Sequence, residues 1–306
     1  MPNWKEVLHE IQDEVKKGTP NALDVIRRKY ISEIQKKTGR NVIAYYSGWL
    51  QRGNAIDVIV NDKDKNAFMV NIHKLDRSKG LDLILHTPGG DLAATESIVD
   101  YLNQMFGNDI RAIIPQISMS AGTMIALSCK EIIMGKQSNL GPIDPQIGGM
   151  ACQAVLTEFQ KAKDDIKANP QAAHLWQVII SKYYPTFLGA CQNSIDWSEK
   201  LAFDWLKRNM CNGDESKTKK ILTEFSDHKT NKSHARHISK NKCKEIGVSV
   251  VDMEDDNDLQ DLILTVHHSF MHTFVHTPST KIVENHLGVA YVESLPIQMQ
   301  QVQQPR

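Results

Sequence analysis

The sequence predicts an α/β fold in which β-α-β units follow one another along the chain. Residues 81–85 are a short apolar run stopped by Thr-Pro-Gly-Gly, and apolar residues at helical spacing follow it. Residues 111–117 are a second apolar run, stopped by Ser-Met-Ser and again followed by an apolar helix. With 306 residues and 41% hydrophobic content, the chain can bury a substantial core. We therefore expect one large domain, or one domain with appendages.

The elements ahead of these two units are predicted from the same periodicities. Residues 4–16 and 22–36 each place apolar side chains on one helical face. Two amphipathic helices are therefore expected to cover the core or to pack against a neighbouring subunit. Residues 41–46 are predicted to form the first core strand. Residues 57–60 are predicted to be a short strand or part of a loop, and a helix is expected over 66–75.

The chain beyond the second unit is predicted to be mainly helical. The expected elements are a strand at 131–134, an irregular loop at 138–146, helices at 155–168, 171–184 and 196–210, an exposed polar connection at 212–220, a helix from 234 that ends at Gly247, a strand at 248–251 and a long helix at 259–275. The chain then divides into an N-terminal helical extension (1–39), a main domain (40–275) and a C-terminal extension (276–306). The Gln-rich tail has the composition of a disordered segment.

The two turns at the ends of the apolar runs are the candidate site. Ser120 lies between a strand and a helix, where the first backbone N–H groups of the helix lack partners and the helix dipole favours negative charge. The N–H of Ala121 and an N–H from Gly89 or Gly90 could form a two-donor oxyanion hole. Right-handed crossovers would place both turns at the same edge of a sheet. Ser120 is therefore a candidate nucleophile.

These residues resemble the Clp-protease/crotonase superfamily. The matching stretches are residues 83–90, 119–126 and 140–146, in the same order and spacing. The likeness is greatest to the serine dehydrogenase–proteinase family, and next to signal-peptide peptidase A and the stomatin-operon proteases. The resemblance implies a Clp-protease/crotonase-like spiral of β-α-β units with added N-terminal and C-terminal helices. It also implies a serine peptidase that assembles as a ring or layered homo-oligomer. It does not imply a dehydrogenase, because the chain has no Gly-x-Gly-x-x-Gly fingerprint.

The group that activates Ser120 is left open by the sequence. In the Clp subunits a histidine holds the position of Asp144, and a carboxylate with its usual pKa of about 3.9 is a poor base for an alcohol. Asp144 could instead orient a base or cap its loop. The resemblance to the Ser-Lys proteases points to the segment after this loop, where Lys161 is the best-spaced lysine. His86, directly before the Thr-Pro-Gly-Gly turn, is a third candidate beside the oxyanion hole. We rank Lys161 first.

Composition excludes several other classes. The net charge is zero, with 36 basic and 36 acidic residues, so nucleic acid is not an expected partner. None of the five cysteines stands in Cys-x-x-Cys spacing, which predicts no disulfide framework and suits a reducing cytosol. The first residues carry no secretory signal, and no apolar run reaches the roughly 18 residues of a membrane span. A cytoplasmic protein is therefore expected.

Two groups of histidines can be interpreted either as binding sites or as ordinary surface or interface residues. His268, His272 and His276 share one helix face, but no carboxylate stands at the spacing of His-Glu-x-x-His, so an interface or surface face is favoured over zinc. His234 and His237 lie in a basic segment that could contact nucleic acid, although the neutral net charge favours a solvated face. We expect neither a metal ion nor a cofactor.

The sequence supports three hypotheses, of which a peptidase is the first. It would cleave polypeptides through an acyl-enzyme on Ser120, and an unfoldase or membrane-protein partner is left open. The second is a crotonase-like enzyme that acts on an acyl thioester without a covalent step, which coenzyme A binding would favour. The third is a non-catalytic oligomeric scaffold, which would leave Ser120 unreactive toward acyl probes.

Overall fold

The computed structural model describes residues 4–53, 56–227 and 231–296. The helices are α1 (Trp4–Lys16), α2 (Ala22–Thr38), α3 (Lys63–Ile72), α4 (Leu92–Phe106), α5 (Ala121–Leu127), α6 (Cys152–Ala168), α7 (Ala172–Ile180), α8 (Phe187–Arg208), α9 (Glu215–Ser226), α10 (Lys240–Ile246) and α11 (Asn257–His276). The strands are β1 (Asn41–Ser47), β2 (Leu81–His86), β3 (Ile110–Ile114), β4 (Ile117–Ser118), β5 (Glu131–Met134), β6 (Asn139–Leu140), β7 (Gln146–Ile147), β8 (Met150–Ala151), β9 (Ile238–Ser239), β10 (Val250–Asp252), β11 (Ser279–Asn285) and β12 (Ala290–Ser294).

The centre of the molecule is a seven-stranded sheet in the order β10-β5-β3-β2-β1-β11-β12. The five strands from β10 to β1 are parallel, while β11 and β12 pair antiparallel at the other edge. Helices follow the parallel strands, so the predicted succession of β-α-β units is confirmed. The carboxyl ends of β2 and β3 lie side by side, which brings the turns after them to one edge of the sheet.

Both faces of the sheet are buried, and β1 shows how the sequence achieves this. Its seven residues are all buried, and successive side chains point to opposite faces. Ile43 and Tyr45 join the larger core beneath α3, α4, α5 and α8. Val42, Ala44 and Tyr46 join a second core that α2 and α11 cover. A strand buried on both faces needs apolar residues without alternation, and this is what residues 41–46 supply.

A second, three-stranded sheet stands beside the first and ties distant segments together. Its order is β4-β6-β9, with β4 parallel to β6 and β9 antiparallel to it. Residues 87 and 118 form a parallel bridge between the two sheets. Loop residues 141–145 follow β6 directly, and the short connection 231–237 leads into β9. Pairing of β6 with β9 therefore brings these two loops together.

Several predictions from the sequence are corrected by the structure. The connection expected over 212–220 contains the start of α9, whose N-cap Asp214 accepts a hydrogen bond from the backbone N–H of Lys217. The helix expected from 234 begins only at Lys240, so residues 234–237 form a turn and loop. The predicted end at Gly247 is confirmed by its left-handed φ of 101°.

The expected C-terminal extension is also corrected, because residues 279–294 form β11 and β12 of the central sheet. These strands read as polar in the sequence, with Lys281 and Glu284 among them. Both side chains are nevertheless buried, each in an ion pair. The Gln-rich tail lies outside the described residues. At the other end, α2 covers one face of the sheet, as the sequence predicted, and its Ile31 and Ile34 are fully buried in the second core.

Candidate active site

Ser120 occupies the turn between β4 and α5, as the sequence predicted. Its backbone has φ 51° and ψ −118°, a conformation that a residue with a side chain adopts only at a cost of about 1–3 kcal/mol. The surrounding contacts maintain it. The N–H of Met119 donates to the Thr87 carbonyl at 3.0 Å, and the N–H of Gly122 donates to the Met119 carbonyl at 2.8 Å. The turn therefore presents Ser120 in a fixed and strained geometry.

The turn after β2 lies directly against the turn that carries Ser120. Gly89 has φ 94°, which glycine adopts readily. A Cβ placed on Gly89 would lie 2.6 Å from the Ser120 Cβ and 2.8 Å from the Ala121 nitrogen. Only glycine permits this approach. The two loop tips predicted to converge are thus in van der Waals contact.

Backbone hydrogen bonds indicate which amides of these turns face the serine. The N–H of Gly89 donates to Thr87 Oγ1 at 3.2 Å. Val60 forms a parallel bridge beside Gly90, and its N–H and carbonyl bond to the Gly89 carbonyl and the Asp91 N–H at 2.8 and 2.9 Å. Since N–H groups alternate in direction along an extended segment, the N–H of Gly90 points away from Val60. Gly90 is therefore a better donor candidate than Gly89.

A cavity of about 480 Å³ opens in front of Ser120. Its lining residues come from the segment before α3, the two turns and the starts of α4 and α5 that follow them, the loop after β6, helix α8 and the connection before β9: Ile59, Pro88, Gly89, Gly90, Asp91, Leu92, Ala93, Ser120, Ala121, Met124, Ile143, Pro145, Gln146, Ser194, Trp197, Ser198 and His234. The lining mixes apolar and polar groups, and Ser120, the glycine turn and His234 all contribute to it. This is a chamber in which a peptide segment could meet all of these groups.

His234 is a further candidate site residue, and the sequence contains no signal for a catalytic role at this position. It lines the cavity, and its Nδ1 lies 2.8 Å from Asp144 Oδ1, although the two residues are 90 positions apart in the sequence. Asp144 is fully buried and His234 is about three-quarters buried. With Nδ1 engaged by the carboxylate, Nε2 is the ring nitrogen left for the cavity. An imidazole paired with a buried carboxylate thus lines the same cavity as the Ser120 hydroxyl.

Two sets of contacts fix the loop that carries Asp144. Gly141 donates its N–H to Thr123 Oγ1 at 2.9 Å, and Thr123 in turn donates its hydroxyl to the Ser118 carbonyl. Ile143 donates its N–H to the Phe225 carbonyl at 3.0 Å. The first set ties the loop to the helix behind Ser120, and the second ties it to the end of α9. Asp144 is therefore positioned relative to Ser120 by the backbone on both sides.

Lys161, the base ranked first from the sequence, lies elsewhere. It stands on α6, does not line the cavity, and keeps 65% of its side-chain surface exposed. Its Nζ lies 2.6 Å from Asp165 one helical turn away. Its neighbours Lys163 and Lys167 are exposed on the same helix. Lys161 is therefore not placed to take a proton from Ser120.

His86 is a buried histidine of the core rather than a lining residue of the cavity. Its Nδ1 and Nε2 lie 3.2 Å from the Ser47 carbonyl and from Gln116 Oε1. Its ring stacks against Tyr46. Burial lowers the pKa of His86 to about 4, so the ring is neutral at physiological pH. Its contacts support the strand end that leads into the Thr-Pro-Gly-Gly turn.

The other histidines flagged in the sequence pack against aromatic rings. Trp4 of α1 stacks on His272, whose Nε2 lies 3.1 Å from the Trp4 carbonyl, and His272 stacks on His276. Across residues 4–53, 56–227 and 231–296, no three His, Cys, Asp or Glu side chains are grouped to hold a metal ion. Within the same ranges, no helix has the length and apolar character of a membrane span.

Comparison with known proteins agrees with this geometry. Two uncharacterized proteins of Methanocaldococcus jannaschii, MJ1495 and MJ0137, are similar to the chain. The first is 29% identical over 73% of this chain and 71% of its own length, and the second is 26% identical over 74% of each. The family described as ClpP-like SDH-type serine proteinase matches residues 17–272. With a match across most of its length, and with a serine on a strained turn facing paired glycines, the chain belongs to the ClpP-like SDH-type serine proteinases.

Proposed function

We propose that this chain is a serine endopeptidase in which Ser120, His234 and Asp144 act as a catalytic triad. The observation that carries the proposal is the pairing of His234 with buried Asp144 at 2.8 Å, in a cavity that also holds Ser120. The three residues come from three separate segments of the chain. A buried carboxylate that orients an imidazole toward a hydroxyl is the constellation that activates a serine.

Each group has a defined role in acyl transfer. The Ser120 hydroxyl attacks the scissile carbonyl while His234 Nε2 accepts its proton. Asp144 accepts the Nδ1–H of His234, which fixes the tautomer and stabilises the imidazolium that forms. His234 then protonates the leaving amine, and a water molecule activated by the same imidazole releases the acyl group. Asp144 thus takes the orienting role that the sequence left open for it.

The oxyanion is assigned to two backbone donors, the N–H groups of Gly90 and Ala121. Ala121 is the first residue of α5, so its N–H has no carbonyl partner within the helix. Gly90 is held by Val60 with its N–H on the opposite side. Gly89, whose own N–H is engaged by Thr87, provides the close approach of the two turns. Fixed donors of this kind typically contribute about 10²- to 10³-fold in rate each.

The shape and chemistry of the cavity support a polypeptide substrate. Leu92, Met124, Ile143 and Trp197 give it an apolar wall. Its acidic lining residue, Asp91, has its carboxylate engaged as the N-cap of α4. An apolar side chain of a peptide would therefore be favoured beside Ser120 over a charged one.

The test compares four variants of the full chain. Ser120→Ala should abolish casein cleavage and labelling by a fluorophosphonate probe. His234→Ala and Asp144→Asn should each lower the labelling rate by about 10³-fold or more. The first variant removes the base that activates Ser120, and the second removes the carboxylate that orients this base. Lys161→Ala should label at the wild-type rate and is the matched control.

Two outcomes would overturn the assignment. If Lys161→Ala loses labelling while His234→Ala keeps it, the base is the lysine. If the wild-type protein is not labelled at all, the peptidase assignment fails, and the non-catalytic scaffold and the crotonase-like enzyme remain as the alternatives. Homo-oligomer formation, a gating partner and a cytoplasmic location stay predictions of the sequence.

A further inference from the structure

The segment around Val60 braces the oxyanion hole from behind. Val60 bonds to both neighbours of Gly90 through its N–H and its carbonyl. A Cβ on Gly90 would lie 2.3 Å from the Val60 carbonyl oxygen and 2.4 Å from its nitrogen, so the two backbones touch. The orientation of the Gly90 peptide group, and hence of its N–H, is therefore set by the position of Val60.

An ion pair buried in the core holds the residues on both sides of Val60. Lys281 Nζ donates to the Ile59 carbonyl at 2.8 Å and to Asp64 Oδ1 at 2.7 Å. Asp64 Oδ2 accepts the backbone N–H of Asn61 at 3.0 Å. Both charged side chains are fully buried. One ion pair thus fixes the carbonyl before Val60 and the amide after it.

Tyr45 extends this cluster into the central sheet. Its hydroxyl donates to Asp64 Oδ2 at 2.8 Å, and burial with the neighbouring carboxylate raises its pKa well above the usual range. Tyr45 lies on β1 and Lys281 on β11, two paired strands. The cluster therefore connects the central sheet to residues 59–61, which pack against Gly90.

We propose that Lys281 and Asp64 are positioning residues for catalysis, which act by holding Val60 against Gly90 and so aim the Gly90 N–H at the oxyanion. The proposal rests on the proposed function of the site. Stability alone does not explain the pair, because burying two charges costs about as much as their attraction returns. Neither residue lines the cavity, so their effect reaches the chemistry through the backbone of Ile59, which does line it, and of Val60 and Gly90.

The same strand supplies a matched control. Glu284 of β11 is also fully buried, and Arg27 and Arg28 of α2 pair with it at 2.9 and 2.7 Å. Arg27 further donates to Thr273 and pairs with Asp24, and none of these partners touches Val60 or lines the cavity. Removing Arg27 therefore breaks a buried ion pair on β11 and leaves the contact between Val60 and Gly90 in place.

The experiment compares Lys281→Met with Arg27→Met in the full chain, at a temperature where both are folded. We expect Lys281→Met to lower the fluorophosphonate labelling rate of Ser120 about tenfold or more. Complete removal of one oxyanion donor typically lowers a rate by about 10²- to 10³-fold. Peptide KM should change less than twofold. Arg27→Met should lose thermal stability yet label at the wild-type rate per folded molecule. Equal labelling rates for the two variants would overturn the proposal.

A second readout separates this proposal from the peptidase assignment. Amide hydrogen exchange over residues 89–91 should accelerate about tenfold in Lys281→Met and stay unchanged in Arg27→Met, whether or not the protein is a peptidase. Unchanged exchange in Lys281→Met would refute the positioning role. If Lys281→Met does not fold, Asp64→Asn, which keeps the shape and removes the charge, replaces it. About threefold faster exchange is then expected, and wild-type exchange would refute the role.

Discussion

Replacing Gly89 with alanine tests the contact on which the candidate site depends. The new Cβ would lie 2.6 Å from the Ser120 Cβ, 2.7 Å from the Met119 carbonyl oxygen and 2.8 Å from the Ala121 nitrogen. Ordinary contacts at these atoms begin at 3.4 Å. Two of the three atoms are backbone, so no side chain can rotate away. The turn that carries Ser120 must therefore shift by roughly 1 Å.

The magnitude follows from two separate costs. Forcing alanine into the left-handed φ of Gly89 costs about 1–2 kcal/mol. Overpacking against the neighbouring turn adds about 1–3 kcal/mol. The free energy of unfolding should therefore fall by about 2–5 kcal/mol. Since a displacement of about 1 Å at reacting atoms can cost 10²-fold, the labelling rate of Ser120 should fall by at least that factor.

Gly213→Ala is the matched control for this change. Gly213 has φ 88°, close to the 94° of Gly89, but a Cβ on it would meet no atom within 4 Å. Urea unfolding should show only the conformational cost of about 1–2 kcal/mol for Gly213→Ala, and its labelling rate should equal that of the wild type. If Gly89→Ala behaves like Gly213→Ala in both assays, the two turns are not in contact and the oxyanion hole is wrongly placed.

Three further outcomes are expected. His86→Gln should make the free energy of unfolding less dependent on pH between 6.5 and 4 than it is in the wild type. Burial lowers the pKa of His86 to about 4, so in this range the unfolded chain binds a proton at His86 and the folded chain does not. The free energy of unfolding of the wild type should thereby fall by about 3 kcal/mol as the pH falls through this range. Urea titrations at pH 7 and 4.5 measure this, and an equal fall for the wild type and His86→Gln would contradict the prediction. Asp91→Ala should lower the unfolding free energy by about 1 kcal/mol because α4 loses its N-cap bond to Ala94, and an unchanged urea midpoint would contradict it. Ellman's reagent should not react with the native protein at pH 8, since burial raises the pKa of Cys129 and Cys243 to about 12; rapid reaction of any thiol would count against the described packing.

The middle of the fold could be predicted from sequence because its signals are local. Residues 81–106 and 110–127 each contain a strand, a turn and a helix in direct succession. The close approach of the two turns needs glycine at position 89, and the sequence shows a glycine there. The predicted positions of Ser120, Gly90 and Ala121 around one cavity therefore followed from the topology of adjacent parallel strands.

The base proposed here, His234, could not be predicted from the sequence because its placement depends on pairing between distant segments. His234 approaches Asp144 through the pairing of β9 with β6, two strands of two residues each. Strands this short leave no periodicity to detect. The surrounding residues Lys232, Arg236 and His237 are polar, so the segment looked like a solvated face. No spacing rule would have selected His234 over the other histidines.

Strands β11 and β12 were missed for a different reason. A strand that is buried along its whole length normally consists of apolar residues, yet β11 reads Ser-Thr-Lys-Ile-Val-Glu-Asn. Its charged residues are satisfied by Asp64 and Arg27, which come from the N-terminal half of the chain. The pattern of one strand cannot reveal that such partners exist elsewhere.

The site lies at the junction of the two sheets, and this separates its functions physically. The Gly90 peptide is connected to the central sheet by hydrogen bonds through Val60, Lys281 and Asp64. In the proposed mechanism, the orienting carboxylate of Asp144 and the imidazole base of His234 are attached to the small sheet, where β6 precedes Asp144 and β9 follows His234. Changes behind Val60 should therefore alter transition-state stabilisation and leave the His234–Asp144 pair intact. Changes in β9 should disturb proton transfer while the oxyanion donors stay in place, so the two halves of the chemistry can be weakened independently.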